Sequence, residues 1–183
     1  MKFILKVLLV LFVLSWLPSC VSPPNYSTTP EIEFSEIRKI YKTINNDLLG
    51  EIRADSVIIS INFKDGDGNI GLTNGQMKGN LQYAEFSNFI VRTFIQVNGE
   101  YQYADINPPL GGLINFELLP NQKPGPIEGT INYSTIFLYD LYSGYSPLFK
   151  PQNDTLKFEI QLIDNDFNQS NTIVTEPIVI FQN

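Results

Sequence analysis

Two short acidic segments contain the residue types that could hold a metal ion. Asp65, Asp67 and Asn69 alternate with glycines in the first segment, and Asp164 and Asp166 stand in the second. Ca²⁺ takes about six to eight oxygen ligands, and alternating Asp and Asn side chains supply the first three of them in an EF-hand loop. The spacing of the first segment therefore suits calcium.

The first segment differs from an EF-hand loop in two respects. Ile70 stands where an EF-hand has its invariant glycine, and no bidentate glutamate occupies the twelfth position. Asp-Gly and Gly-Asn pairs are also strong turn signals that need no metal. If both segments follow strands that end at one pole of a sandwich, however, four carboxylates would crowd together and a shared cation would relieve their repulsion. We therefore predict that all five side chains form one Ca²⁺ site.

The composition limits other chemistry. The chain has no histidine and a single cysteine, which excludes Ser-His-Asp triads, His-ligated zinc and internal disulfides. Catalysis would have to rest on carboxylates, and no spacing pairs Asp105, Glu117 or Asp140. The net charge of −7, which becomes −9 without the two lysines of the leader, disfavours nucleic acid as a partner. We expect no enzyme, with a carboxylate-dependent glycan-acting enzyme as the alternative.

Residues 1–19 have the pattern of a secretory signal peptide. Lys2 and Lys6 form a positive start, and the apolar run from Val7 to Leu14 is too short to span a bilayer. The segment Leu17-Pro18-Ser19-Cys20 resembles a lipobox, the site at which signal peptidase II cuts before a lipid-modified cysteine. We expect lipid on Cys20 to anchor the chain to the outer membrane. The periplasmic face is favoured over the cell surface because no acidic cluster follows the cysteine.

Residues 20–30 predict a flexible tether, because three prolines and four hydroxyl residues cannot form a core. Residues 31–183 then form a single domain, in which apolar and polar residues alternate as in half-buried strands. Asn98-Gly99 predicts a hairpin turn. We predict an all-β, immunoglobulin-like antiparallel sandwich of about seven or eight strands. Its main strands are Ser56–Lys64, Asn88–Val97, Ile131–Tyr139, Leu156–Leu162 and Thr172–Phe181.

The segment 34–49 admits two interpretations. Apolar residues recur at helical spacing from Phe34 to Leu48, and Gly50 would suit a helix C-cap. Glu31 to Phe34, in contrast, alternates after Pro30 as an opening strand would. We favour a strand from Glu31 to about Tyr41, followed by a loop.

A family resemblance rests on three short blocks: Asp55 to Gly71, Pro126 to Ile131, and Leu162 to Asn171. The first, which contains Asp-Gly-Asp-Gly-Asn, resembles a signature of Bacteroidetes-type lipoproteins with immunoglobulin-like sandwiches, and the others are similar to later blocks of that group. The resemblance implies an envelope location and a sandwich fold, and it implies no activity. Two tripeptides, at Asp55-Ser56-Val57 and Asp154-Thr155-Leu156, also resemble the acceptor for O-glycosylation in such bacteria. Ser56 and Thr155 are therefore candidate glycosylation sites.

These patterns favour a membrane-anchored binding or scaffolding module that recognises an envelope protein or a glycan. An aromatic platform could serve such binding, since tyrosine is enriched at interfaces. The candidates are Tyr101, Tyr103, Tyr139, Tyr142 and Tyr145, of which we expect Tyr142 and Tyr145 to be the exposed pair. Most of the others suit half-buried positions in strands equally well.

Overall fold

A computed structural model describes residues 23–46, 50–71, 87–114 and 124–182. Almost all regular structure in these residues is β, with one short helical segment between Tyr139 and Tyr145. No helix in this part of the chain is long and apolar enough to cross a membrane. The nine strands are β1 Glu31–Asn46, β2 Gly50–Asp65, β3 Phe89–Val97, β4 Glu100–Ala104, β5 Gly111–Gly112, β6 Ile127–Leu138, β7 Asp154–Leu162, β8 Ile173–Val174 and β9 Ile178–Ile180.

The strands form two antiparallel sheets. One contains β1, β2 and β6 in the order β1-β2-β6, and the other has the order β4-β3-β7-β8, with β5 also paired to β3 and β9 to β7. The predicted all-β, immunoglobulin-like sandwich is confirmed. The strand number exceeds the prediction because the segment 172–181 forms two short strands instead of one, and the glycine pair of β5 adds another.

The core lies between β2 and β7. The alternating residues Val57, Ile59, Ile61 and Phe63 of β2 are buried, and every second residue of β7 from Asp154 to Leu162 is buried as well. Burying one such aliphatic or aromatic side chain contributes about 1.5–3 kcal/mol, so these two faces stabilise the sandwich more than any turn does.

β1 runs from Glu31 to Asn46, so the helical interpretation of this segment is wrong for its described residues, and the strand is longer than predicted. The strand pairs with β2 along its whole length, to Asn46 opposite Gly50. A bulge between Phe34 and Glu36 shifts the register. Because a bulge adds one residue to one strand, the inward-facing positions change from Ile32 and Phe34 to Ile37 and Lys39, and the interrupted alternation imitates helical spacing.

The predicted hairpin turn is confirmed between β3 and β4. Asn98 and Gly99 have positive φ angles of 53° and 90°. Two consecutive residues with positive φ are typical of the type I′ turn, whose twist matches that of the strands it joins. The turn sets the register in which Val97 pairs with Glu100.

The second half of the predicted tether lies against the sandwich. Gly66 N–H donates to the carbonyl of Ser27 at 2.7 Å, the Tyr26 hydroxyl donates to Glu128 at 2.6 Å, and Pro30 is buried. These contacts hold Tyr26, Ser27 and Pro30 against the domain, and local composition carries no signal for such long-range contacts. A flexible tether over the rest of residues 20–30 stays a prediction. Cys20 and the leader lie outside the described residues.

Candidate functional site

Two loops meet at the pole of the sandwich where the chain enters β1. The first loop follows the end of β2 at Asp65, and the second follows the end of β7 at Leu162. Asn165 N–H donates to the carbonyl of Asn69 at 3.2 Å, which joins the loops through their backbones. We call this region the loop pole. It brings together the two acidic segments that the sequence pattern predicted to meet.

The Asn69 side chain bridges the two loops. Its Nδ2 donates to Asp67 Oδ2 at 3.2 Å and to Asp166 Oδ2 at 3.0 Å. Its backbone N–H donates to Asp65 Oδ2 at 2.9 Å. One amide side chain thus links a carboxylate of each loop, in the place where a cation would otherwise do so.

Asp164 has a different role from the other predicted ligands. Its Oδ1 accepts N–H donations from Asp166 at 2.9 Å and Asn168 at 2.8 Å, and its Oδ2 accepts from Asn168 Nδ2 at 2.8 Å. The side chain is buried. Asp164 therefore fixes the shape of the second loop, and its oxygens are already occupied by donors of that loop.

Three buried oxygens of the first loop have no hydrogen-bond partner within the described part of the chain: Asp65 Oδ1, Asp67 Oδ1 and Asn69 Oδ1. Such an orphaned acceptor costs about 1–3 kcal/mol. Burial raises the pKa of Asp65 to about 6. The charges of Asp67 and Asp164, and the side-chain hydrogen bond that the protonated carboxyl makes with Asp67, act in the same direction, while the N–H of Asn69 opposes them. The loop pole thus contains more acceptors and negative charge than its own donors satisfy.

The carboxylates do not form a metal site by themselves. In residues 23–46, 50–71, 87–114 and 124–182, no group of three His, Cys, Asp or Glu side chains is arranged to hold an ion. An ion at the loop pole would also need the amide oxygen of Asn69, which accords with the preference of Ca²⁺ for mixed carboxylate, amide and water oxygens.

The loop pole is also where the segment before β1 docks. A Cβ atom built on Gly66 would lie 2.5 Å from the carbonyl oxygen of Tyr26 and 2.8 Å from that of Ser27. Only glycine allows the entering chain to come this close. The potential metal ligands on either side of Gly66 are therefore mechanically connected to the segment that leads from Cys20.

The other predicted site residues are dispersed. Ser56 is fully buried in the middle of β2, with its hydroxyl 3.2 Å from that of Ser134, which leaves no room for a sugar on the folded domain. Thr155 is half-buried in β7, and its glycosylation stays a prediction. Asp105 and Asp140 are exposed, and Glu117 lies outside the described residues.

The aromatic platform is not assembled as expected. Tyr142 and Tyr145 are half-buried, and the Tyr145 hydroxyl accepts the N–H of Leu138 at 2.8 Å, so the expectation of an exposed pair was wrong. Tyr103, on the edge strand β4, is the exposed member. Tyr145 packs edge-on against Phe137, because the turn that carries both tyrosines folds back onto the core.

A cavity of about 520 Å³ lies at the other end of the β1–β2 hairpin, and sequence reasoning missed it. One signal was available: the apolar alternation of β2 stops at Val57, and the next two positions of that face are Asp55 and Arg53. The lining residues are Lys39, Tyr41, Arg53, Asp55, Tyr139 and Gln182.

Comparisons with protein-family models, with curated proteins and with solved structures found no match to this chain. The geometry of the loop pole and of the cavity is therefore the basis for the functional argument.

Proposed function

We propose that the chain is a lipid-anchored binding or scaffolding module of a bacterial cell envelope, and that Ca²⁺ stabilises its loop pole. One observation carries the calcium proposal: three buried oxygens, on Asp65, Asp67 and Asn69, lack a hydrogen-bond partner in the described residues, and the amide nitrogen of Asn69 lies 3.0 Å from Asp166 Oδ2. Buried polar atoms are nearly always satisfied in native proteins, and an ion or a water molecule commonly satisfies a group that has no protein donor.

The ligand set is smaller than the one expected from sequence. Asp65, Asp67, Asn69 and Asp166 would supply oxygens, and water would complete the shell of a Ca²⁺ ion. Asp164 would act as a positioning residue, because its two oxygens accept hydrogen bonds that keep Asp166 in place. The Asn69 amide would rotate so that its oxygen, instead of its nitrogen, points to the shared centre.

Calcium at the loop pole would stiffen the attachment of the domain to its anchor. Gly66 lies between two of the proposed ligands and donates its N–H to Ser27, which is seven residues after Cys20 in the sequence. A rigid connection at this pole suits a module that must present its other end to a partner.

The test is thermal unfolding of the full chain in a mild non-ionic detergent, with EDTA or with millimolar calcium. A ligand that binds only the folded state raises the midpoint, by about 2.7 kcal/mol of unfolding free energy at one hundred times the dissociation constant. The Asp67→Asn variant should lose most of the calcium response, whereas Asp105→Asn, an exposed aspartate outside the loop pole, should keep it. An unchanged midpoint of the unsubstituted protein in calcium would contradict the calcium site.

A further inference from the structure

The three-stranded sheet has an apolar side that faces away from the core. The buried residues that alternate from Val57 to Phe63 point inward, so Ser56 and Ile58 point outward. Ile40, Ser56 and Ile136 lie side by side across β1, β2 and β6, and the two isoleucines are 40% and 42% exposed. Contiguous exposed apolar residues mark an interaction surface. We call this side the aliphatic face, and its large apolar members are Ile40, Ile44, Ile52, Ile58, Ile136 and Leu138.

The charged residues among these apolar ones all lie on β1. They are Glu36, Arg38 and Lys42, and the first two form an exposed ion pair at 3.9 Å. The outward residues of β2 from Ile52 to Ser60 and of β6 from Asn132 to Leu138 are all uncharged. The uncharged β6 of a second copy could therefore cover the charged β1 without bringing like charges together. The aliphatic face is complementary to itself.

A second copy that is rotated by a half-turn about an axis parallel to β2 places its β6 over β1 and its β1 over β6. Residues of one row then stay in the same row, so Ile40 packs against Ile136 of the second copy, and Ile136 packs against Ile40. Lys42 lies over Leu138 of the second copy, where its methylene stem can pack while its ammonium group reaches solvent at the edge of the sheet. Both exposed isoleucines are thereby covered.

Side chains hinder the addition of another strand at both edges of this sheet. On β6, the Tyr145 hydroxyl accepts the N–H of Leu138 at 2.8 Å. On β1, the side-chain amide of Asn171 bonds both the N–H and the carbonyl of Ile32, each at 2.8 Å. Backbone groups that are already occupied at an edge disfavour lateral pairing with another chain. Contact through the aliphatic face is therefore favoured over strand addition.

The docked N-terminal segment determines which half of this side of the sheet is available. Tyr26 lies on the half near the loop pole, where Lys64 Nζ is 5.8 Å from its ring centroid and Glu128 accepts its hydroxyl. The aliphatic half remains open to a second copy. An axis parallel to the strands leaves both loop poles at the same end, so both N-terminal segments can reach one bilayer. This choice of axis rests on the proposed lipid anchor.

We propose that the chain forms a two-fold dimer through its aliphatic face. In such a dimer the same surface of both copies forms the contact. Three strands at ~4.8 Å spacing and the residues from Ile52 to Ser60 at ~3.3 Å each give a face of about 14 Å by 26 Å. A contact of this size is at the small end of specific interfaces, so we expect a dissociation constant in about the micromolar range.

The test is sedimentation equilibrium of the full chain in a density-matched non-ionic detergent. Ile136→Lys should weaken the dimer by about ten-fold or more, because the new ammonium group would be buried against Ile40 of the second copy. Val174→Lys is the matched control, since Val174 is a 54% exposed aliphatic residue on the other sheet, and this variant should dimerise like the unsubstituted protein.

A pair of complementary substitutions tests the arrangement of the two copies. Ile40→Asp should weaken the dimer about as much as Ile136→Lys does. An equimolar mixture of these two variants should form a heterodimer, because one contact then pairs the introduced aspartate with the introduced lysine and the other pairs Ile40 with Ile136. Thermal midpoints verify that both variants are folded, and an unfolded variant could not restore the dimer.

Three outcomes would overturn the proposal: an unsubstituted protein that is monomeric at about 100 μM, an unchanged dimer in the Ile136→Lys protein, or a mixture of the two variants that stays monomeric. Membrane fractionation and the calcium response of the thermal midpoint are measured on the same protein. A monomer that keeps both properties would refute the dimer alone, whereas a dimer that lacks both would refute the proposed function and leave the contact through the aliphatic face.

Discussion

Asp65 is the residue at which the competing forces in the loop pole are clearest. It is buried at the end of β2, it accepts one N–H from Asn69, and it faces the negative charges of Asp67 and Asp164. Its buried carboxylate is costly for the fold on its own, and a cation of the kind we propose would offset that cost. Whether a substitution of Asp65 raises or lowers the free energy of unfolding should therefore depend on calcium.

In calcium-free buffer at neutral pH, Asp65→Asn should raise the free energy of unfolding by about 1 kcal/mol, because it removes a buried like-charge repulsion. In saturating calcium the same substitution should lower it, because a charged ligand is lost. Chemical denaturation with and without EDTA measures both values. A variant that is destabilised to the same degree in both buffers would show that Asp65 is merely a structural residue.

The pH dependence of the calcium-free protein follows from the same carboxyl group. Its pKa rises from the usual 3.8 to about 6 in the folded chain, so between these values the folded state binds more protons than the unfolded state. The free energy of unfolding should therefore fall as pH increases from about 4 to about 6, by on the order of 1 kcal/mol. Saturating calcium should reverse this slope, because protons then compete with the ion. Denaturation curves at several pH values check the sign.

At the scale of elements, the first loop holds the segment before β1 against the domain. Gly66 lies against the backbone of Tyr26 and Ser27, where a side chain would not fit. Tyr26 also bonds Glu128 and has the ammonium group of Lys64 over its ring, and Pro30 is buried.

Gly66→Ala should release this segment, because the added Cβ cannot come within 2.5 Å of a carbonyl oxygen. Hydrogen exchange of the N–H of residue 66, which donates to Ser27, should become faster, while exchange in β7 stays slow. Gly144→Ala is the matched control, since a Cβ there meets nothing within 4 Å. Unchanged exchange at residue 66 in the Gly66→Ala protein would contradict the docking.

The sequence predicted those elements whose pattern is local. The strict alternation of Leu156 to Leu162 and the Asn98-Gly99 turn specify a strand and a hairpin from neighbouring residues alone, and both are present. β1 was harder to predict, because the bulge after Phe34 interrupts the alternation and its pairing with β2 is not visible in its own residues.

The same distinction applies to the sites. Asp65 and Asp166 were grouped correctly because both follow strand ends, and the sandwich topology places such ends at one pole. The cavity was missed because Asp55 and Gln182 are 127 residues apart in the sequence and come together only in the folded chain. The second loop also donates hydrogen bonds to Asp164. These bonds depend on side-chain geometry, which the spacing of residues in the sequence does not specify.

At the scale of the whole molecule, the anchor remains a prediction from the leader and its single cysteine. Cys20→Ala should move the protein from the membrane fraction to the soluble fraction, because one acyl chain or more on that residue is the only membrane attachment we propose. Cell fractionation followed by immunoblotting measures this. A Ser19→Ala variant, which changes the neighbouring residue and keeps the cysteine, should stay in the membrane fraction. Retention of Cys20→Ala in that fraction would contradict the anchor.

The docked segment also limits how far the domain can stand from its membrane. With lipid on Cys20 and the Tyr26 hydroxyl held by Glu128, the six Cα-to-Cα steps from Cys20 to Tyr26 would span at most about 20 Å. The cavity lined by Lys39 and Asp55 lies about 25 Å further along β1 at ~3.3 Å per residue. If Cys20 is lipidated, the cavity would therefore lie at most about 45 Å from the bilayer, so a ligand fixed further from the membrane would be out of its reach.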